Sequence, residues 1–324
     1  MRPNSPWQVV LLIFASSLIP GSTVLAQASR SAASYFERGQ ALYAKGDSRA
    51  AMEDYSAAIA FDPRFAMAYA ERGVARYTTG DFDGAISDFD RAIAIKPRLA
   101  SAYNNRGLAL QAKGDINKAL ADYDQAIALN PNFSIAYYNR GTARYKTGDF
   151  DRAISDYDRS IRINPKLAMA YENRGIALHA KGALESALVD YNKAIALFRA
   201  LAHAGIERDA EAVIDPGPAS VRTPHPDPTL AAATLAMCYS NRGTALQAKG
   251  YLEEAVADFN TAIAIDPHLA KAYANRGIIR LAQGNADEAE GDFKRALELN
   301  PTLDTAIRQG VEVIKRSASK GGHQ

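Results

Sequence analysis

The sequence predicts an all-α fold, a solenoid of stacked helix-turn-helix units, from a period of 34 residues and no period-two alternation. The glycine of an Arg-Gly dipeptide recurs with this spacing, apart from one gap of 68 residues. It stands at Gly39, Gly73, Gly107, Gly141, Gly175, Gly243 and Gly277. Numbering each unit so that this glycine is position 8 defines seven repeats: 32–65, 66–99, 100–133, 134–167, 168–201, 236–269 and 270–303.

Each repeat has the sequence features of two helices. Positions 4 and 8 lie one turn apart on the first helix, and positions 20, 24, 27 and 28 share one face of the second. Glycine at position 15, followed by Asp at 16 in the first four repeats, predicts a helix end and then an N-cap. Proline at position 32 predicts the end of the second helix in every repeat except the fifth, which has Arg199 there. Glycine at 8 facing Ala at 20 predicts close helix packing, with the aromatic residue at 24 filling the remaining space.

The pattern aromatic-4, Gly-8, Ala-20, aromatic-24, Ala-27 and Pro-32 resembles the tetratricopeptide repeat. The resemblance covers seven units, or 238 of 324 residues. It implies a right-handed superhelix of stacked helix hairpins, whose first helices line an inner concave groove. Because one such unit cannot bury its apolar face alone, we expect the stack to fold as one array.

The amino terminus has the layout of a secretory signal peptide. Arg2 is followed by an apolar stretch over 9–19, by a Pro-Gly break, and by small residues that allow cleavage after Ala26 or Ala28. We therefore expect 1–28 to be removed and the protein to be exported, to the bacterial periplasm or outside the cell. An uncleaved membrane anchor is the alternative, although eleven apolar residues are short for a bilayer.

Two further segments depart from the period. Residues 202–235 interrupt the array, and with five prolines between 215 and 228 they are interpreted as a Pro-rich insertion. The apolar sequence before them suggests that the second helix of the fifth repeat continues outward, and a new helix is expected to start near Thr229. Residues 304–324 are predicted to form a capping helix and a disordered tail.

Composition argues against several classes of function. The formal net charge is only +2 and the basic residues are interleaved with acidic ones, so nucleic acid is not expected as a partner. Cys238 is the only cysteine, which excludes an intramolecular disulfide. His203 and His225 share the insertion, but a stable metal site usually needs three or four ligands. No phosphate-binding loop, nucleophile elbow or zinc motif occurs, so neither a cofactor nor catalysis is expected.

Two charged positions occur in all seven repeats. Arg stands at position 7, where the family usually has a leucine-like residue, and Asp stands at position 23. In an antiparallel hairpin these positions lie at similar height on neighbouring helices. We therefore predict an Arg–Asp ladder, paired within a repeat or across adjacent ones, that stabilises the scaffold.

Position 6 is the candidate for function. An asparagine stands there in repeats three to seven, as Asn105, Asn139, Asn173, Asn241 and Asn275. An asparagine side chain can both donate to and accept from a peptide backbone, so one per repeat could hold an extended chain. The row resembles the asparagine ladder of O-linked N-acetylglucosamine transferase; the alternative is a tolerated polar residue on a wet face. The expected groove lining is largely apolar and includes Tyr138, Tyr145, Met169, Ile176 and Met237.

These observations predict an exported, non-catalytic scaffold that binds a protein or an extended peptide in its concave groove. A structural subunit that self-associates through the solenoid ends or the 202–235 insertion is the alternative. An enzyme remains only if the insertion hides a site.

Overall fold

A computed structural model describes residues 31–203 and 228–321, and all regular structure in these two ranges is helical. The predicted signal peptide, 1–28, and most of the 202–235 insertion lie outside the described residues. The helices are α1 Ala32–Ala44, α2 Ser48–Phe61, α3 Ala66–Thr78, α4 Phe82–Ile95, α5 Ala100–Ala112, α6 Ile116–Leu129, α7 Ser134–Lys146, α8 Phe150–Ile163, α9 Ala168–Ala180, α10 Leu184–His203, α11 Pro228–Ala248, α12 Leu252–Ile265, α13 Ala270–Ala282, α14 Ala286–Leu299 and α15 Asp304–Gly321, with a 3₁₀ turn at Pro301–Leu303.

The helices form seven hairpins stacked in chain order. Each odd-numbered helix from α1 to α13 packs most extensively against the even-numbered helix that follows, which in turn packs on the next odd-numbered helix. Successive odd-numbered helices also approach each other, more closely than successive even-numbered helices do. The odd-numbered helices therefore line the inner side, and the prediction of an all-α solenoid is confirmed.

The turn inside each hairpin depends on glycine at position 15. Gly114 has φ +90°, a left-handed conformation that side chains rarely adopt, and the amide of Asp115 donates to the carbonyl of Leu110 at 2.9 Å. Asp47, Asp81 and Asp149 then accept from the backbone amide three residues on, as an N-cap does. Asp115 makes no such bond and instead pairs with Lys118 at 3.0 Å.

The two helices of a hairpin meet where position 8 has no side chain. A Cβ added to Gly107 would lie 2.7 Å from Cε1 of Tyr123, the aromatic residue at position 24. In all seven repeats, the ring of the residue at position 24 is the nearest neighbour of the position-8 glycine. The expected close approach is therefore present, and the ring of residue 24 rather than Ala at 20 comes closest to the glycine.

The fifth and sixth repeats stack directly despite the residues between them. Arg199 replaces the usual proline, and α10 continues to His203, six residues longer than the other second helices. Helix α11 begins at Pro228, next to the expected start near Thr229. Ile195 and Phe198 of α10 are buried in one cluster with Tyr239 of α11, so the hydrophobic core is continuous across the junction.

The carboxyl-terminal end is covered by α15. Ile307 is buried against Ala274 and Ala296 of the seventh repeat. Gly310 lies so near α13 that an added Cβ would meet Cδ1 of Ile278 at 2.4 Å. Within the described ranges, no helix combines the length and the apolar character needed to cross a membrane.

Candidate functional site

The arginine at position 7 makes the same contacts in every repeat. Its Nε and Nη2 donate to the two carboxylate oxygens of the position-23 Asp at 2.5–3.0 Å. Its guanidinium also lies 5.0–5.6 Å from the ring centroid of the position-4 Tyr one turn earlier. All seven aspartates are buried. The predicted ladder is therefore present, with a bidentate pair inside each repeat.

The remaining Nη1 of this arginine connects one repeat to the one before it. From the second repeat onward it donates, at 2.6–2.9 Å, to the side-chain oxygen at position 25 of the preceding repeat. The acceptors are Ser56, Asp90, Asp124, Asp158, Asn192 and Asn260. Arg242 bonds Asn192 across the insertion, so the link between repeats is unbroken. The sequence does not predict these acceptors, because the residue type at position 25 differs among the first six repeats. All of the types found there have a side-chain oxygen.

Three repeats place a second arginine on the same carboxylate. Arg76, Arg144 and Arg280 at position 11 donate to Asp88, Asp156 and Asp292 at 2.7–2.9 Å. The other four repeats have leucine at position 11. The buried aspartates therefore fall into two classes, with one or two cationic partners.

The position-6 asparagines connect successive first helices on the inner side. The odd-numbered helices α1 to α13 carry positions 2, 6, 9 and 12 of each repeat on their inner surface. We call this surface the groove face. Asn139 donates to Asn104 at 2.9 Å, and Asn104 itself donates to Asn105 at 2.9 Å. Asn105 and Asn139 are 3% and 1% exposed, so this part of the row is packed between repeats.

The other three asparagines are only partly buried. Asn173 donates to the hydroxyl of Tyr138 at 3.0 Å, Asn241 to Glu172 at 3.4 Å, and Asn275 to Thr244 at 3.1 Å. Within the part of the chain that the structure describes, their amide oxygens accept no hydrogen bond. Their peptide-binding role stays a prediction, and these are the members of the row that keep an unused acceptor.

The predicted lining residues differ in exposure. Met237 is 43% exposed, and Tyr145, Met169 and Ile176 are half-buried. Tyr138 is buried, and its ring packs 6.0 Å from that of Tyr157. Of these five predicted residues, the accessible ones lie on the fourth to sixth repeats, near the less buried asparagines.

A buried carboxyl group lies beneath this surface. Glu172, at position 5 of the fifth repeat, accepts from Asn241 and from the thiol of Cys238, a fully buried residue. Burial nevertheless raises the pKa of Glu172 to about 7, because these two donors offset only part of the desolvation. Position 5 is Ala, Ser, Asn or aromatic in the other repeats, so Glu172 is the one acidic residue at this position, but its burial is not readable from the sequence.

Metal binding has no support from the described residues. Among residues 31–203 and 228–321, no three His, Cys, Asp or Glu side chains come together as ligands would. His225 lies outside these ranges, so the pairing of His203 with His225 stays untested.

Comparison with known sequences identifies the repeats. One model of the tetratricopeptide repeat matches residues 104–168 and 142–204, a second matches 39–80, 75–114 and 243–284, and a third matches 270–303. The matches cover more than half of the chain. The chain belongs to the tetratricopeptide repeat family. Proteins built from such repeats are generally non-catalytic scaffolds for protein interactions, and the repeats of this chain support a protein-interaction scaffold.

Two solved structures agree with this chain in fold, and a third is similar in sequence. A tetratricopeptide repeat protein from Parabacteroides merdae ATCC 43184 is 21% identical with a TM-score of 0.56, and the alignment covers 88% of this chain and 98% of that one. The Cut9–Hcn1 hetero-tetramer of the APC/C is 13% identical with a TM-score of 0.67, covering 90% and 51%. MamA is 27% identical with a TM-score of 0.46, covering 51% and 96%. The search of characterised proteins returned no match.

Proposed function

We propose that the protein is an exported, non-catalytic scaffold that binds an extended segment of a partner protein on its groove face. The observation that carries the proposal is the row of unused amide oxygens on Asn173, Asn241 and Asn275. One such acceptor per repeat can take a backbone N–H from an extended chain without selecting its side chains. Apolar residues beside the row supply contact area, and Met237 is the most exposed of those predicted.

The proposal places binding in the fifth to seventh repeats rather than along the whole row. Asn105 and Asn139 are buried with their side chains hydrogen bonded, so a bound chain would have to displace those contacts. Export to the periplasm or the exterior is part of the proposal and rests on the sequence of residues 1–28. Mass spectrometry of the protein from fractionated cells tests it, with a mature terminus expected after Ala26 or Ala28.

Peptides selected from a random display library against the full chain provide the binding test. We expect the double variant Asn173→Ala/Asn275→Ala to weaken a selected peptide about tenfold, because two backbone hydrogen bonds are lost. Met237→Lys should weaken it as well. Val189→Lys is the matched control, because Val189 is also apolar, is 67% exposed and lies on a second helix.

The alternative site is the insertion. Binding that survives the groove variants but disappears when residues 204–227 are replaced by a Gly/Ser linker would assign recognition to the insertion. In that case the asparagine row serves packing alone.

A further inference from the structure

Among the residues that the structure describes, the position-7 arginine of the first repeat has one guanidinium nitrogen, Nη1, without a hydrogen-bond acceptor. In repeats two to seven the Nη1 of the position-7 arginine reaches position 25 of the repeat before it. Arg38 is the equivalent residue of the first repeat, and residues 31–203 and 228–321 contain no acceptor for its Nη1. The Arg38 side chain is 61% exposed, against 14–24% for the other six.

Two aromatic residues lie beside this arginine. The ring of Tyr35 stacks on that of Phe61, with centroids 5.4 Å apart, and the guanidinium of Arg38 lies 5.0 Å from the Tyr35 centroid. Phe61 is 55% exposed. In the later repeats the residue at the Phe61 position is Ile or Leu. We call Tyr35, Arg38 and Phe61 the amino-terminal edge; it combines an available cation with an exposed apolar surface.

The other end of the solenoid does not complement this edge. Position 25 of the seventh repeat is Lys294, where every earlier repeat has Ser, Asp or Asn. Lys294 is exposed, and a lysine there would repel an incoming arginine rather than accept from it. Helix α15 also covers the last repeat. The ends therefore lack the pairing that would continue the ladder from one copy to the next.

We propose that the amino-terminal edge docks an amphipathic helix of another protein, one that presents an Asp or Glu to Arg38 and apolar side chains to Tyr35 and Phe61. The template is the contact that α4 makes with α5, in which Asp90 accepts from Arg106 at 2.6 Å. Charge complementarity selects the partner, because a carboxylate makes stronger bonds with a guanidinium than a neutral oxygen does. Residues 1–30 contain no Asp or Glu, so they have no carboxylate for Arg38.

A peptide with the sequence of α4, residues 82–95, is a direct probe, since it carries Asp90 in its native context. Binding of the labelled peptide to the full chain is measured by fluorescence anisotropy. We expect the D90K peptide to bind at least about tenfold more weakly, as loss of a charged pair should cause. Arg38→Lys should give a similar loss, because lysine keeps a charge beside Asp54 but lacks the planar fork that spans acceptors on two neighbouring helices. Phe61→Ala should also weaken binding, because it removes exposed apolar surface and adds no charge near Arg38 and Asp54.

Three results would overturn the proposal. The first is no binding up to the solubility limit of the peptide. The second is equal affinity for both peptides, or loss of binding on Asn173→Ala/Asn275→Ala instead of on the edge variants. The third is a dimer in sedimentation that Arg38→Lys dissociates, which would make a second copy the occupant; we expect a monomer.

Discussion

At the scale of single residues, the buried aspartates at position 23 decide how the charges are held. Each accepts two hydrogen bonds from the position-7 arginine of its own repeat. The hydrogen bond to Asp122 raises the pKa of Arg106. Removing one member of a buried pair leaves the other charge uncompensated, so these residues matter more for stability than exposed ion pairs do. The structural reason for arginine at position 7 is this threefold contact with a Tyr, an Asp and the preceding repeat.

Replacing a position-23 aspartate by asparagine should destabilise the fold more where the aspartate has two arginine partners than where it has one. Asp156 accepts from Arg140 and Arg144, whereas Asp122 accepts from Arg106 alone among the position-7 and position-11 residues. We expect Asp156→Asn to lower the free energy of unfolding by about 4 kcal/mol and Asp122→Asn by about 2–3 kcal/mol. Asp124→Asn, at a 58% exposed site, is the control and should cost less than about 1 kcal/mol. Urea denaturation measures all three; equal losses for Asp156 and Asp122 would contradict the second arginine's role.

Glu172 makes stability depend on pH. Its ordinary pKa of 4.5 applies in the unfolded chain and a pKa of about 7 in the folded one. The fold therefore binds this proton more tightly, and the resulting stabilisation is complete below pH 4.5 and is lost as the pH rises through 7. Between about pH 5 and pH 8 the wild type should lose about 2 kcal/mol more than Glu172→Gln does.

The comparison with Glu172→Gln isolates this residue from every other titrating group. Tyr138, Tyr191 and Cys238 surround the carboxyl group, and burial raises the pKa of each of them, so none should titrate in this pH range. Urea denaturation gives the free energy of unfolding of both proteins at each pH. If it changed with pH equally in both, the raised pKa of Glu172 would be contradicted.

At the scale of the helix pair, two glycines with different tasks determine the geometry. The glycine at position 8 gives room to the aromatic ring of residue 24, and the glycine at 15 permits the turn. Both tasks are readable from the sequence because a missing Cβ and a left-handed turn each demand glycine in every repeat. The predicted Asp115 cap is not made. Its carboxylate pairs with Lys118, but nothing in the structure explains the missing cap, since Asp149 pairs with Arg152 in the same way and still caps its helix.

Alanine at these two glycines should separate the tasks. Gly107→Ala places a Cβ 2.7 Å from the ring of Tyr123 and should cost about 2–3 kcal/mol through overpacking. Gly114→Ala meets nothing within 4 Å and should cost about 1 kcal/mol through its φ of +90°. Thermal melting of the two variants checks the order, and a larger loss for Gly114→Ala would contradict it.

At the scale of the whole molecule, the contacts between repeats continue across the insertion. Arg242 bonds Asn192 at 2.6 Å and Lys249 pairs with Glu185 at 2.8 Å, so the sixth repeat is joined to the fifth as the others are to their neighbours. The seven hairpins should therefore unfold together. Replacing residues 204–227 with a Gly/Ser linker of the same length should leave a single denaturation transition with a nearly unchanged midpoint. Two separate transitions would show that the insertion holds the halves together.

The period, the hairpins and the Arg–Asp pair could be predicted from the sequence, because each depends on residue types that recur at the same position in every repeat. The sequence did not predict the position-25 acceptors, where Ser, Asp and Asn share only an oxygen. Nor did it predict which asparagines are buried. That depends on the side chains that neighbouring first helices contribute: Asn139 is buried with its amide bonded to Asn104, whereas Asn275 is only partly buried. The raised pKa of Glu172 likewise depends on burial of its carboxyl group among side chains of α7, α10 and α11, which the sequence alone does not show.

Recognition on the groove face can be tested by hydrogen–deuterium exchange of the full chain with and without a selected peptide. We expect slower exchange on binding in α9, α11 and α13, the helices that carry Asn173, Asn241 and Asn275. Protection confined to the even-numbered helices or to residues 204–227, with these three helices unchanged, would contradict it.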